Sequence, residues 1–151
     1  MSVLVVVVHH LPAPQGSKIR TNYGVRDDNP ATKPFRDIVT AEALTARKTA
    51  GWEPRPGPVV VDVVFTMPRP RGHYGTGRNA TKVKASAPSH PATKPDSDKL
   101  GRAVLDGLDD AGVYLDDGQV FDLHIVKAYP HGHLDALDTP GAVITITQED
   151  T

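Results

Sequence analysis

Cysteine is absent from the 151 residues. That removes disulfides, thiolate nucleophiles and cysteine-based zinc sites at once, and it leaves a reducing compartment open to the chain. No apolar run approaches the length of a membrane span. The opening "MSVLVVVVHH" carries no basic residue ahead of its short apolar run and ends in two histidines and "LPAP", so it reads as a buried strand and not as a secretion signal. Acidic residues are missing from the whole of 67–95, which holds six basic ones. Hydrophobic residues are lean at 38%, while Gly 13 and Pro 14 point to substantial loop content. A chain of this length is expected to form one domain, 1–151, around a single core.

The net charge of −1 conceals a division. Residues 1–95 carry 14 Lys and Arg against 6 Asp and Glu, whereas 96–151 carry 3 against 12. Such asymmetry fits a protein that holds an anionic polymer with one region and gathers carboxylates at a site in another; clustering of ordinary surface charge is the plainer alternative.

Along the chain, a strand is expected at about 2–9, followed by a Pro/Gly/Asn-rich loop. "FRDIVTAEALTARKTAG" spaces Ile38, Val39, Ala43, Leu44 and Ala46 as a helix that stops at Gly51. "VVVDVVFTM" is a β-branched strand. The stretch 67–95 reads as a long basic loop, an uncommon feature in a compact domain unless functional or disordered. A second helix runs from Asp98 to about Ala111 with Gly112 as its stop. An Asp-Asp-Gly turn then leads to strands near 119–129 and 142–148. The order β-α-β-loop-α-β-β predicts an α/β or α+β two-layer sandwich, a small mixed sheet with helices mainly on one face.

The chemistry concentrates at "PDSDKLGRAVLDGL", residues 95–108. One aspartate at a helix start is a cap, stabilising by about 0.5–2 kcal/mol. Two are present, Asp96 and Asp98, and Asp106, Asp109 and Asp110 approach the helix end where the dipole disfavours anions. Asp98, Arg102 and Asp106 share an i, i+4, i+8 face, a ladder worth only about 0.2–0.5 kcal/mol per pair. In "LDDGQV", Asp116 and Asp117 read either as a simple turn or as a turn folding back to bring a third carboxylate to Asp96 and Asp98. Three hard oxygen ligands with room for water and phosphate make a Mg²⁺ site of the kind used in phosphodiester hydrolysis.

At these residues the sequence resembles the RusA-type Holliday junction resolvases, small metal-dependent endodeoxyribonucleases of phages and prophages. The similar motif, "KPDSDKLGRAVLDGLDDAGVYLDDGQV" over 94–120, combines D-x-D-x-L, a basic residue four positions after the second aspartate, L-D-x-L and D-D-x-Q-V. Weaker likeness extends over most of the chain. The resemblance implies that Asp96, Asp98 and Asp117 are the essential, metal-binding acids, with Asp116 the lesser candidate. It places Arg102 where the family pattern commonly has a functional lysine. It implies Mg²⁺ as cofactor with Mn²⁺ as a substitute, branched DNA as substrate, a homodimer matched to the near two-fold symmetry of a four-way junction, no membrane, and a bacterial cytoplasm with phage or prophage origin. Two departures stand out. Lys99 occupies a place where asparagine is frequent. Arg102 keeps the charge and can grip phosphate bidentately but is a poor proton donor, which assigns proton delivery to water at the metal.

Arg69, Arg71, Arg78, Lys82 and Lys84, with Tyr74 and His73, are the expected contacts of the basic loop with DNA backbone, joined by Lys94 and Lys99 beside the acidic motif. A solvated loop is the alternative. "GTGRNA", 75–80, matches a dinucleotide-binding pattern on paper but has no strand before it and no apolar helix after it. His9, His10, His131 and His133 read as surface residues, and Asp62 faces either the site or solvent. Competing functions are a nuclease for other branched DNA, such as flaps or forks, and a non-catalytic DNA-binding module.

Overall fold

The computed structural model of the chain describes residues 1–14, 18–21, 24–27 and 32–150. Its elements are β1 (Ser2–Val8), β2 (Lys18–Thr21), β3 (Gly24–Asp27), α1 (Thr32–Ala50), β4 (Val59–Thr66), α2 (Ser97–Asp110), β5 (Val120–Ala128) and β6 (Gly141–Gln148). Four strands form one mixed sheet in the order β1-β6-β4-β5. β6 runs antiparallel to both β1 and β4, and β4 and β5 run parallel. A parallel pair cannot be closed by a tight turn, so β4 and β5 are joined by the 67–95 segment and α2, a βαβ crossover.

Alternation along β1 sets the layers. Leu4, Val6 and Val8 are buried, while Val3 and Val5 are 55% and 52% exposed. The buried row joins Val59, Val61, Val63 and Phe65 of β4 and Ala142, Ile144 and Ile146 of β6 in one core with Phe35, Val39 and Ala43 of α1 and Leu100, Ala103, Val104 and Leu108 of α2. Each large side chain so removed from water contributes about 1.5–3 kcal/mol. The opposite face of the sheet carries the register rows Val3–Thr147–Val60, Val5–Thr145–Asp62–His124 and Val7–Val143–Val64–Val126.

Two glycines let α2 come close to its neighbours. A Cβ on Gly101 would lie 2.5 Å from Cδ1 of Ile125 in β5, and one on Gly107 would lie 2.8 Å from Cγ1 of Val39 in α1. Both helices stop where a glycine takes positive φ, Gly51 at 63° and Gly112 at 65°. After α2, Val113 N–H reaches Leu108 O at 3.1 Å and Gly112 N–H reaches Asp109 O at 2.9 Å, a Schellman closure. Arg47 adds a 2.7 Å bond to Ala111 O, and the Trp52 indole, just beyond α1, donates to Val113 O at 2.8 Å. Trp52 therefore pins the end of α1 to the end of α2.

One expectation needs correction. The segment read as a plain loop after β1 contains β2 and β3, paired antiparallel with Lys18 opposite Asp27 and Thr21 opposite Gly24. Strands of four residues, reading KIRT and GVRD, are too short and too polar in sequence for alternation or hydrophobicity to betray them. The observed order is β-β-β-α-β-α-β-β.

Candidate active site

Asp96 occupies the N-cap position of α2, with φ −71° and ψ 139°, yet its side chain makes no capping hydrogen bond. Its carboxylate instead lies 3.6 Å from the Lys94 ammonium. Asp98, in the first turn, is 71% exposed and 4.0 Å from Arg102. Both carboxylates are therefore open to a ligand, and neither is committed to holding the helix. Arg102 is itself 62% exposed and contacts Asp98; the expected ladder extends no further, since no ion pair joins it to Asp106 among the described residues.

The peptide ahead of Asp96 is held by the neighbouring strand. Lys127 Nζ, near the end of β5, donates to Thr93 O at 2.7 Å and to Pro95 O at 2.9 Å. The motif pattern does not single out Lys127. Its only signal in the sequence is rarity: it is one of three basic residues after position 95.

The Asp-Asp turn divides its labour. Asp116 Oδ1 accepts the Gly118 N–H at 2.8 Å and caps a single 3₁₀ turn, Asp117–Gln119. Gln119 stitches that turn to the lead-in of β4. Its Oε1 accepts from Leu115 N and Asp116 N at 2.7 and 3.1 Å, and its Nε2 donates to Arg55 O and Gly57 O at 2.7 and 2.8 Å. Asp117 follows Asp116 in the turn, where its carboxyl meets the Asp116 carboxyl and the Gly118 N–H. The Gly118 N–H, then the hydrogen bond from Asp117, hold Asp116 below the usual carboxylate range. The same carboxyl–carboxyl bond pushes Asp117 up, with partial desolvation and repulsion from Asp116 and Asp109 adding to the shift. Gly57, Pro58, Asp116, Gly118, Gln119 and Phe121 line an open groove beside the turn.

The two halves of the motif stand at opposite ends of α2. Asp117 feels Asp109, near the helix C-terminus, and the helix from Asp98 to Asp109 spans about 16 Å. Along β5, the stretch from Val120 to Lys127 spans about 23 Å. Within one copy of the chain, the Asp-Asp turn does not fold back on the helix start. This follows from the crossover: the helix of a βαβ unit runs against its strands, so the turn after it falls at the opposite end of the strands from the helix start. Among the described residues no group of three His, Cys, Asp or Glu side chains could hold a metal ion. Asp96 and Asp98 offer hard oxygens of the kind Mg²⁺ takes, but a single copy gathers only two of the three expected acids.

The basic loop is anchored at its root. Arg69 stacks over Tyr129 with 4.3 Å from Cζ to the ring centroid, and His73 meets the same ring edge-on at 5.5 Å. Arg69 also reaches Pro88 O at 2.8 Å. Beyond that root, Gly75 N–H to Lys82 O and Lys84 N–H to His73 O, at 3.0 and 2.8 Å, fold the tip on itself around an isolated bridge, Tyr74–Val83. Arg71, Arg78, Lys82 and Lys84 stay exposed, as does Lys94, and Lys99 is half-buried in the first turn of α2. "GTGRNA" forms a turn and a single 3₁₀ turn, Gly77–Asn79, with no helix for a dinucleotide.

The sequence matches the family described as Endodeoxyribonuclease RusA over residues 12–147. The chain belongs to the RusA endodeoxyribonuclease family. No curated protein matches the sequence. For this RusA-family chain, the matched span takes in α2, the Asp-Asp turn, the basic loop and both parallel strands. Other side chains considered from sequence lie elsewhere. Asp62 sits on the sheet face away from the helices, 3.4 Å from His124 Nδ1. His10 stacks near Phe35, His131 is 3.7 Å from Asp138, and His133 accepts Asp135 N–H at 3.0 Å. No helix among the described residues is long and apolar enough to cross a membrane.

Proposed function

We propose that the chain is a Mg²⁺-dependent, structure-selective endonuclease that cuts four-way DNA junctions in recombination and repair, acting as a homodimer in a phage-infected or prophage-bearing bacterial cytoplasm. Family membership supports hydrolysis of DNA. The observation that carries the site is that Asp96 holds a helix N-cap position and caps nothing, with the exposed Asp98 beside it. Because Asp117 lies at the far end of α2, the reading that accommodates all three acids takes Asp96 and Asp98 from one copy and Asp117 from the other. A C2 pair then has two equivalent sites for the two opposed strands of a junction.

Asp96, Asp98 and Asp117 would hold Mg²⁺, which when bound supplies Lewis acidity toward the phosphate and a lowered pKa for its water. The remaining work falls to side chains of the chain itself. Arg102, exposed beside Asp98, offers two parallel N–H donors to a phosphate. Lys127 keeps the Asp96 backbone in place through Pro95 and Thr93. Arg71, Arg78, Lys82, Lys84, Lys94 and Lys99 grip flanking backbone and orient the branch.

The test uses a labelled synthetic junction. Asp96→Asn, Asp98→Asn and Asp117→Asn should each bind the junction and fail to cut it with Mg²⁺ or Mn²⁺. Mixing Asp96→Asn with Asp117→Asn should restore nicking, because one site of each mixed dimer recovers all three acids; mixing Asp96→Asn with Asp98→Asn should not. Binding without cleavage by the unmodified chain would reduce it to a DNA-binding module. Equal cutting of flaps and forks would widen its substrate to branched DNA in general.

A further inference from the structure

The single 3₁₀ turn Asp117–Gln119 buries none of its side chains, so packing into the core does not hold it. Polar ties do. Asp116 closes the turn on itself through the Gly118 N–H, which fixes the shape of the turn and not its direction. Among the described residues, the side-chain hydrogen bonds that carry the turn to a distant part of the chain come from Gln119, whose Nε2 donates to Arg55 O at 2.7 Å and to Gly57 O at 2.8 Å.

That amide is used to capacity. A glutamine side chain has two lone pairs on Oε1 and two hydrogens on Nε2. The Leu115 and Asp116 N–H groups take the first pair, and the two carbonyls take the second. Donors on one side and acceptors on the other also settle which end is oxygen. Glutamate has the same shape with no hydrogen to give, and would set a carboxylate against two carbonyl oxygens. The receiving side is stiff. Gly57 takes φ 112°, a value open to glycine without strain, and nothing lies within 4 Å of where its Cβ would be, so conformation and not space requires glycine there. Pro56 and Pro58 fix their own φ on either side. Arg55 is tied in turn, its guanidinium donating to Asp150 at 2.8 Å.

We infer that Gln119 is a positioning residue for metal binding by Asp117, bolting the peptide just ahead of that acid to the rigid 55–57 bracket before β4. The inference rests on the metal role proposed above for Asp117 and names what aims it. All four polar contacts of Gln119 are with backbone, so the side chain is committed to orientation. Its two acceptor bonds hold the residues immediately before Asp117, and its two donor bonds hold those residues to a part of the chain that the turn does not otherwise bond through a side chain. Groups that orient a metal-binding carboxylate typically change affinity or activity by about 10–100-fold when removed.

Binding of Mn²⁺ to the full-length chain, read by electron paramagnetic resonance without DNA, tests this apart from turnover. Gln119→Glu and Gln119→Met should each raise the Mn²⁺ dissociation constant by roughly tenfold or more. The Mg²⁺ concentration that half-saturates junction cleavage should rise with it, and much of the rate should return at high Mg²⁺. Should neither variant fold, Gly57→Ala, which strains the φ that presents the acceptor, carries the same expectation. Thr40→Val, which loosens α1 from α2 by removing a hydroxyl bonded to Arg36 O and Gly107 O at 3.0 Å each, should melt lower and leave the Mn²⁺ constant where it was. An equal loss of Mn²⁺ affinity in Thr40→Val would reduce Gln119 to a strut and overturn the inference. Unchanged Mn²⁺ binding by folded Gln119→Met would overturn it too and, with junctions still cut, leave the nuclease standing. Weakened Mn²⁺ binding by the Gln119 variants of a chain that cuts nothing would keep the positioning role and remove the nuclease.

Discussion

The Lys127 ammonium lies 2.9 Å from the carbonyl oxygen of Pro95 and so ties the end of β5 to the residue before Asp96. A strand end and a helix N-terminus are thereby held at one spacing.

Lys127→Met keeps the length of the stem and deletes the donors. Two charge-assisted bonds to backbone carbonyls disappear, and the expected cost is about 1–3 kcal/mol of stability. Junction cleavage should fall further than junction binding, because the displaced group is the backbone of Asp96. Chemical melts run beside single-turnover cleavage measure both. A loss of stability with cleavage per folded molecule unchanged would make Lys127 a strut for the loop only.

Arg102 separates charge from geometry. Arg102→Lys keeps a cation one helical turn after Asp98 and should retain most activity, while Arg102→Gln should lose about one to two orders of magnitude in cleavage rate. Melting curves on both variants guard against a loosened helix. An unimpaired glutamine variant would leave Arg102 as a rung beside Asp98 and nothing more.

The tip of the basic loop carries exposed charge without an ion-pair partner among the described residues at Arg78, Lys82 and Lys84. Neutralising all three should weaken junction binding and reduce the salt slope by up to about 0.9 for each phosphate that the loop no longer neutralises. Affinity measured across a salt series reads the slope directly. A slope equal to that of the unmodified chain would place the tip away from DNA.

Asp109 sits at the disfavoured end of α2. Desolvation, then repulsion from Asp110, Asp116 and Asp106, raise its carboxyl above the ordinary 3.8. A carboxyl with a folded pKa above its unfolded one weakens the fold when ionised. The penalty is complete above the raised value and gone below about 3.8. Asp109→Asn should therefore melt at a higher temperature at pH 7 without divalent ions, and the gap should close as pH falls toward about 3.5. A variant that melts lower at pH 7 would show that Asp109 is paired in solution.

Much of this was legible because the motif residues act locally. A helix opening on Asp96, a stop at Gly112 and an Asp-Asp turn depend on neighbours within a few positions, and the structure has all three. β2 and β3 were hidden because four-residue stretches reading KIRT and GVRD are too short and too polar to show a period of two. Sequence could not place Asp117 relative to Asp98, since that distance follows from β5 lying parallel to β4, a pairing between segments far apart in the chain. With parallel pairing known, the separation follows directly from helix direction.

β6 lies between β1 and β4, although 133 positions separate the end of β1 at Val8 from the start of β6 at Gly141. During synthesis at roughly 5–20 residues per second, the valine-rich first strand waits on the order of 7–27 s for the neighbour that completes its ladder. Closing so long a loop is slow in itself. The nascent chain thus spends that interval with a sticky, unpaired strand, and its yield in a cell will depend on what shields "VLVVVV" until the last strand arrives.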